Sequence, residues 1–475
     1  MTYQQFLERK SQLGGNHGFE PIWMPSQAFG FQQHLIEWNC RKGRSADFAD
    51  CGLGKTLIEL AWAENVVRKT NGRVLILTPL AVGPQTVREG VKFGIEARQC
   101  RDGKLLATDK IVVTNYEKLH LFNPEDFVGC VCDESSILKH FTGATQKNVT
   151  RFMSKLAYRL LGTATAAPND WIELGTSSEA VGDLSHSEML THFFKYLDDK
   201  GQKKENRDQA FAEKSVQHFA RLSFRVHQSI GQWRLKNHAV IPFWQWVASW
   251  ARACRKPSDL GFEDGDFNLP PLDEYDHVIM PNTPPEGMLF TLPACGLKEE
   301  RDERRRTLKD RCEFVAKLVD HSEPAVIWCH MNNEGDELER TIPGARQVAG
   351  ATPDEEKEEI YEAFSSGQLK KLVIKPKIGA WGLNWQHCAH VVTFASHSYE
   401  QYYQSVRRCW RFGQKNRVRL DVIATEGERP VLRNMRRKAV QAATMFDALV
   451  KQMHSAGTVK ADCKDHQTIK LPSWI

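Results

Sequence analysis

The run Ala49-Asp50-Cys51-Gly52-Leu53-Gly54-Lys55-Thr56 constrains the fold more than any other stretch of the chain. Its Gly-Leu-Gly-Lys-Thr ending has the form of a phosphate-binding loop that leads into a helix. Gly52 and Gly54 allow backbone N–H groups to approach phosphate oxygens, and the following helix turns its positive N-terminus on the same anion. In that arrangement Lys55 reaches the β and γ phosphates and the Thr56 hydroxyl ligates magnesium. Ala49 stands where the general pattern begins with glycine. Taken alone the turn is moderately specific, and an ordinary surface loop is its competing account.

Asp133-Glu134 narrows that choice. The pair follows the apolar run Phe127–Cys132, so it falls at the carboxyl end of an expected strand, where α/β sheets gather their ligands. Asp133 suits the magnesium and Glu134 the polarisation of an attacking water. Loop and carboxylates together predict a nucleotide-hydrolysis site, with ATP and Mg2+ as its ligand and cofactor.

The rest of the chain supports an α/β reading. Short apolar strands at Arg73–Thr78, Ile111–Thr114, Phe127–Cys132 and Tyr158–Leu161 form one block. Ala325–Cys329, Lys371–Ile374, His390–Phe394 and Arg419–Ile423 form a second. Near-continuous Val, Ile and Leu without polar alternation suits strands covered on both faces, hence parallel sheets under helices. The 475 residues leave room for two or three domains. The expected division is a first lobe over 1–182, a largely helical insertion and linker over 183–310, a second lobe over 311–430 and a helical tail over 431–475. Trp233, Trp244, Trp246 and Trp250 within the insertion read as buried helix packing rather than as a strand-splitting pin. A formal net charge of only +5 confines any nucleic-acid surface to a local patch. The longest apolar runs, such as Val74–Leu77, are far too short to cross a bilayer, and the N-terminus lacks a signal-peptide core. Twelve scattered cysteines without metal-ligand spacing read as reduced thiols, and the expected location is cytoplasmic.

With these motifs in order from about Phe31 to Ile423, the chain resembles superfamily 2 helicases, and within them the Swi/Snf-type DNA translocases. The resemblance implies two RecA-like lobes closing on one nucleotide. Phe31-Gln32 followed by Trp38 is similar to the element whose glutamine reads the adenine edge, which assigns Gln32 to the nucleotide. Asp133-Glu134-Ser135-Ser136 stands where many members have Asp-Glu-Ala-His, so both carboxylates are kept and the histidine is replaced. Leu161-Gly162-Thr163-Ala164-Thr165-Ala166-Ala167-Pro168-Asn169 looks like the coupling motif, placing Thr163 and Thr165 between ATP and the nucleic-acid track. Gln404-Ser405-Val406-Arg407-Arg408-Cys409-Trp410-Arg411-Phe412-Gly413-Gln414 looks like the arginine-finger motif. It implies that Arg408 and Arg411, three apart and on one face of a helix, meet the γ-phosphate, with Gln404 coupling the lobes. Arg407 is expected to point elsewhere, as a salt-bridge or solvent residue.

Lys377–Trp385 resembles the second-lobe motif that links nucleic acid to ATP, with Gly382 at the nucleotide and Asn384 at the nucleic acid. Gly350 and Thr352 resemble a backbone-contacting element, and Thr78, Pro79, Asn115 and Tyr116 lie at strand ends where the family contacts phosphates. The implied function is an ATP-driven motor on nucleic acid, DNA rather than RNA and duplex rather than single-stranded. The compact core resembles phage and prophage members, which implies a bacterial or phage-infected host. Two alternatives stand beside it: a strand-separating helicase on DNA or RNA, and a nucleotide-dependent module that recruits a nuclease or replication partner. In the latter, the insertion and the tail would be docking surfaces; the tail's run Arg433, Arg436, Arg437 and Lys438 reads as a phosphate contact or, more often, as a solvated helix face.

Overall fold

A strand precedes the phosphate-loop signature, and polar residues break its apolar run. β1 (Arg44–Ala49) carries Ser45 and Asp47, both buried. Their polarity is absorbed by Asn39 of α1 (Gly30–Lys42), whose amide donates to Asp47 (2.5 Å) and whose carbonyl accepts from the Ser45 hydroxyl (2.6 Å). A search for apolar runs passes over β1 for that reason. In the computed structural model, residues 15–80, 82–197, 232–281, 297–379 and 384–457 are described.

From β1 the chain passes through α2 (Lys55–Thr70) to β2 (Val74–Thr78), β3 (Ala97–Gln99), β4 (Ile111–Asn115), β5 (Gly129–Asp133) and β6 (Tyr158–Gly162). β7 (Phe194–Leu197) and β8 (Gln232–Leu235) form an antiparallel pair, and α3 (Val240–Trp250) leads into β9 (Ala251–Cys254). The first sheet is parallel throughout in the order β3-β4-β2-β5-β6-β1-β9. The second sheet uses β10 (Leu272–Ile279), β11 (Ala325–Trp328), β12 (Ala345–Val348), β13 (Lys371–Ile374), β14 (His390–Phe394) and β15 (Val418–Thr425). Its order is β10-β15-β14-β11-β13-β12, again all parallel. This is the expected fold of two parallel-sheet α/β lobes with helices packed on them.

The stretch 183–310, expected as a largely helical insertion, departs from that description. It supplies the last strand of the first sheet, β9, and an edge strand of the second, β10, so the chain crosses between lobes within 255–271. Both strands are short or polar (Ala251-Arg252-Ala253-Cys254; Leu272-Asp273-Glu274-Tyr275), which hides them from an apolar-run search. Trp244, Trp246 and Trp250 of α3 are buried in the first lobe's core, and Trp233 packs against it.

α4 (Tyr399–Val406) and α5 (Arg429–Gly457) complete the elements that concern the site. α5 belongs to both lobes. Its first turns place Val431, Leu432 and Met435 in the core of the second lobe, and its later turns place Met445, Phe446, Leu449 and Met453 in the core of the first. Three residues of the basic run on this helix are occupied within the protein, while Arg433 is exposed. Arg436 pairs with Glu274 and Asp276, Arg437 bonds Asn434 and Gln441, and Lys438 bonds Asn169 and the His397 carbonyl. No described helix is long and apolar enough to cross a membrane.

Candidate active site between the two lobes

The loop between β1 and α2 turns back on itself through Gly52 (φ 90°) and Gly54 (φ 79°), a region open to glycine and strained for other residues. Space is equally short. A Cβ on Gly54 would lie 2.3 Å from Gln32 Nε2, and one on Gly52 would lie 3.1 Å from the Phe412 nitrogen of the second lobe. Gln32 is buried, its Nε2 donating to the Leu53 carbonyl (2.9 Å) and its Oε1 accepting from the Phe29 N–H (2.9 Å), so it braces the loop from α1. Lys55 curls over the loop, its Nζ donating to the Ala49 carbonyl at 3.0 Å. Burial works against its charge, but Cys51, Glu134, Asp50 and Asp133 around it hold its affinity for the proton above the ordinary lysine value. Thr56 is the second residue of α2.

β5 ends on Asp133, and burial followed by the charge of Glu134 pushes that carboxyl up to about 7. Glu134 itself sits in the left-handed region at φ 57°, ψ 53°, a conformation that costs a non-glycine residue ~1–3 kcal/mol. The turn carries its carboxylate to the coupling segment after β6. Glu134 Oε1 accepts from Thr163 Oγ1 at 2.8 Å and lies 3.2 Å from Ser136 Oγ, while Thr163 Oγ1 also accepts from the Thr165 N–H. Burial raises the Glu134 carboxyl above its usual value, with Lys55 opposing. Oxygen donors only, two carboxylates and a hydroxyl beside a loop built for phosphate, form a set that suits Mg2+.

The second lobe faces this loop through the end of α4. The helix stops at Val406, so Arg408 and Arg411 lie on the turns that follow rather than on a helical face. Arg408 is buried and bonds the Gln404 carbonyl at 3.3 Å. Arg411 has its Nε buried with no acceptor in the protein, and burial together with Arg408 lowers its affinity for the proton, to about 10. Arg407, expected to point away, is the residue that clamps the lobes. It is buried, pairs with Asp50 of the phosphate loop and donates to the Cys51 carbonyl at 3.1 Å. Tyr403 Oη donates to the same Asp50 at 2.5 Å. Phe412 stacks on Phe267 of the crossing segment, with ring centroids 4.4 Å apart.

A second interlobe contact was not legible in the motifs. Glu400, on the first turn of α4, accepts from Ser136 Oγ at 2.5 Å and pairs with Lys139, both on the turn after Glu134. Gln404, one helical turn later, keeps both amide atoms buried without a protein partner. The available signal was the four-residue spacing from Glu400 to Gln404, which puts both on one helix face.

The residues expected at nucleic acid are placed less uniformly. Thr78 is buried and bonds the Thr114 carbonyl, Asn115 caps the turn after β4 through the Lys118 N–H, and Tyr116 Oη donates to the Asp133 carbonyl at 2.6 Å. These side chains are spent inside the first lobe; Pro79, which follows β2, is half-buried. Thr352 Oγ1 accepts from the Ala349 N–H, Gly350 has open space where a Cβ would be, and Asn384 is exposed. Gly382 lies outside the described residues.

Residues 310–413 match the family model of the helicase conserved C-terminal domain. No curated protein matches the chain by sequence. Among solved structures, the DUF1998 helicase MrfA bound to DNA and AMPPNP superposes with a TM-score of 0.51 at 12% identity, over 94% of this chain and 58% of that one. The same helicase bound to DNA gives 0.52 at 12% identity, over 94% and 55%. The Sulfolobus solfataricus SWI2/SNF2 ATPase core in complex with dsDNA gives 0.39 at 15%, over 93% and 97%. The chain thus spans a little over half the length of MrfA. The second lobe thus matches the helicase conserved C-terminal domain, and the chain shares the two-lobed α/β fold of the MrfA helicase.

Proposed function

We propose that the chain is a nucleic-acid-dependent ATPase that moves on DNA, duplex more readily than single-stranded, by opening and closing the cleft between its lobes. The observation that carries this reading is the meeting of Arg407, Arg411 and Phe412 with Asp50, Cys51 and Gly52 across that cleft. A phosphate loop alone binds a nucleotide. An arginine cluster brought to it by a second lobe makes hydrolysis depend on closure.

Lys55 and the loop amides hold the β and γ phosphates, and Gln32 sits at the base. Thr56 and Asp133 would hold Mg2+, which supplies charge neutralisation for the phosphates. Glu134 orients the attacking water and takes its proton. Arg408 and Arg411 stabilise the charge of the transferring phosphoryl group, a contribution of ~10³–10⁵ in rate in related chemistry. Release of the γ-phosphate removes the anion those arginines gather around, and the cleft reopens. Thr163 and Thr165 carry that change toward the track, where Pro79, Gly350, Thr352 and Asn384 are the proposed contacts, while the buried Thr78, Asn115 and Tyr116 side chains hold the strand ends in place. The fold shared with MrfA, a helicase crystallised with DNA and AMPPNP, supports DNA as the track and ATP as the fuel. Lys55→Ala tests the reading: hydrolysis falls at least a hundredfold, and a variant that keeps the wild-type rate sinks it.

Strand separation is the second reading, and the antiparallel pair β7–β8 favours it. Tyr196 is exposed on β7 and packs edge to face on Trp233 of β8 at 5.5 Å, an aromatic pair of the kind a wedge needs. Loss of forked-duplex unwinding in Tyr196→Ala, with ATP hydrolysis intact, supports this version.

A further inference from the structure

The Ser136 hydroxyl stands between two carboxylates of different lobes, Glu134 Oε1 at 3.2 Å and Glu400 Oε1 at 2.5 Å. It has one hydrogen to give. All of this is enclosed: Ser136 is 2% exposed and Glu400 6%. Lys139 pairs with the other oxygen of Glu400, so two donors on one short turn, Ser135–Lys139, grip a single acidic residue of α4. Glu173 also lies near Lys139 on the first lobe, and Lys438 approaches it from α5. Thr163 already donates to Glu134 Oε1, so a second donor on the same oxygen lowers the basicity of the carboxylate that is to take the proton of the attacking water.

We infer that Glu400 is a positioning residue for hydrolysis, drawing the Ser136 hydroxyl hydrogen away from Glu134 when the cleft closes and returning it when the cleft opens. The inference rests on the ATPase reading above. The contact is geometric: α4 carries Glu400 with the second lobe, and Ser136 is fixed to the first. In the closed arrangement the short bond goes to Glu400 and Glu134 keeps one donor, Thr163. When the lobes part, Ser136 has only Glu134 to serve, and that carboxylate is held by two hydroxyls. The second lobe therefore does more than deliver arginines. It frees the water-activating carboxylate in the same movement, which ties the two halves of the site to one closure step. Gln404, with no protein partner for its amide, does not make this contact; Glu400, one turn earlier, does.

The test is a double-mutant cycle on the full chain, reading kcat and KM for ATP with saturating DNA and with Glu134→Gln as the blank. Glu400→Ala in the otherwise wild-type chain lowers kcat about tenfold, the worth of one charge-assisted hydrogen bond, and leaves KM within about twofold. In the Ser136→Ala background there is no hydroxyl to misdirect, so Glu400→Ala then changes kcat by less than about twofold. Lys139→Ala breaks the same ion pair but leaves the Ser136 bond, so it costs less than Glu400→Ala. An equal Glu400→Ala loss in both backgrounds, or a loss carried in KM, overturns the inference while leaving the ATPase reading intact. A wild-type chain no more active than Glu134→Gln overturns both. Circular dichroism melts that match wild type exclude misfolding as the source of any loss.

Discussion

Asp50 and Arg407 show how a single buried pair decides the geometry of the site. Each is nearly inaccessible, 4% and 3% exposed, and each comes from a different lobe. Removing one partner leaves a charge buried without its counter-ion, which costs ~3–5 kcal/mol, whereas replacing both with apolar residues of similar volume costs far less. Because the pair spans lobes that are otherwise separate cores, the loss is expected in closure rather than in folding. Arg407→Met therefore leaves the thermal midpoint within a few degrees of wild type but widens the distance between probes placed on the two lobes. An unchanged distance distribution contradicts the clamp. Arg407 is a salt-bridge residue, one of the two roles its place in the motif suggests, but its partner on the other lobe was not legible because a motif does not reveal which loop lies opposite. Gly54 is legible in full. Its positive φ and the Gln32 amide 2.3 Å from any Cβ predict that Gly54→Ala weakens nucleotide binding at least tenfold, checked by titration with a fluorescent ATP analogue.

At the scale of elements, strands read clearly where they were apolar and went unseen where they were not. β2, β4, β5, β6, β11, β13, β14 and most of β15 follow from Val, Ile and Leu runs buried on both faces. β1, β9 and β10 carry Ser, Asp, Arg or Glu, and their assignment depends on partners distant in sequence, such as Asn39 for Asp47. α5 is the element whose role the sequence least discloses. Its pattern announces a helix, but not that one end serves each core. Leu449, fully buried in the first lobe, predicts a loss of ~2–5 kcal/mol for Leu449→Ala, while Val440→Ala, at an exposed position on the same helix, stays within about 0.5 kcal/mol. Denaturant midpoints of the two variants check this; equal values contradict it. Deleting 431–475 accordingly strips both cores of side chains and is not a clean test for a docking tail.

The whole molecule carries a second charge network far from the cleft, and it sets how stability responds to acid. His321 Nε2 lies 2.7 Å from His390 Nδ1, His390 Nε2 lies 2.7 Å from Asp421, and His277 and Arg419 share the same carboxylate. Only one hydrogen fits between the two facing imidazole nitrogens. Burial, Lys371 and His390 lower the affinity of His321 for the proton below its usual value of 6.5. A histidine lowered in the folded state contributes stability that is complete above its unfolded value of 6.5 and is lost as the pH falls from there through the lower folded value. Asp421 is held well below the usual carboxylate range by hydrogen bonds from His390, Arg419 and His277 that outweigh burial, so its contribution is lost at lower pH still. The denaturant midpoint should therefore fall between pH 7.5 and 5.5, with a shallower slope in His321→Gln; parallel slopes contradict the network. Closure of the two lobes on ATP under the control of nucleic acid is checked by ATP hydrolysis with no nucleic acid, single-stranded DNA, duplex DNA and RNA, against Glu134→Gln. Strong stimulation by duplex DNA, and none in the variant, is the expected result; hydrolysis that no nucleic acid stimulates contradicts nucleic-acid-controlled closure.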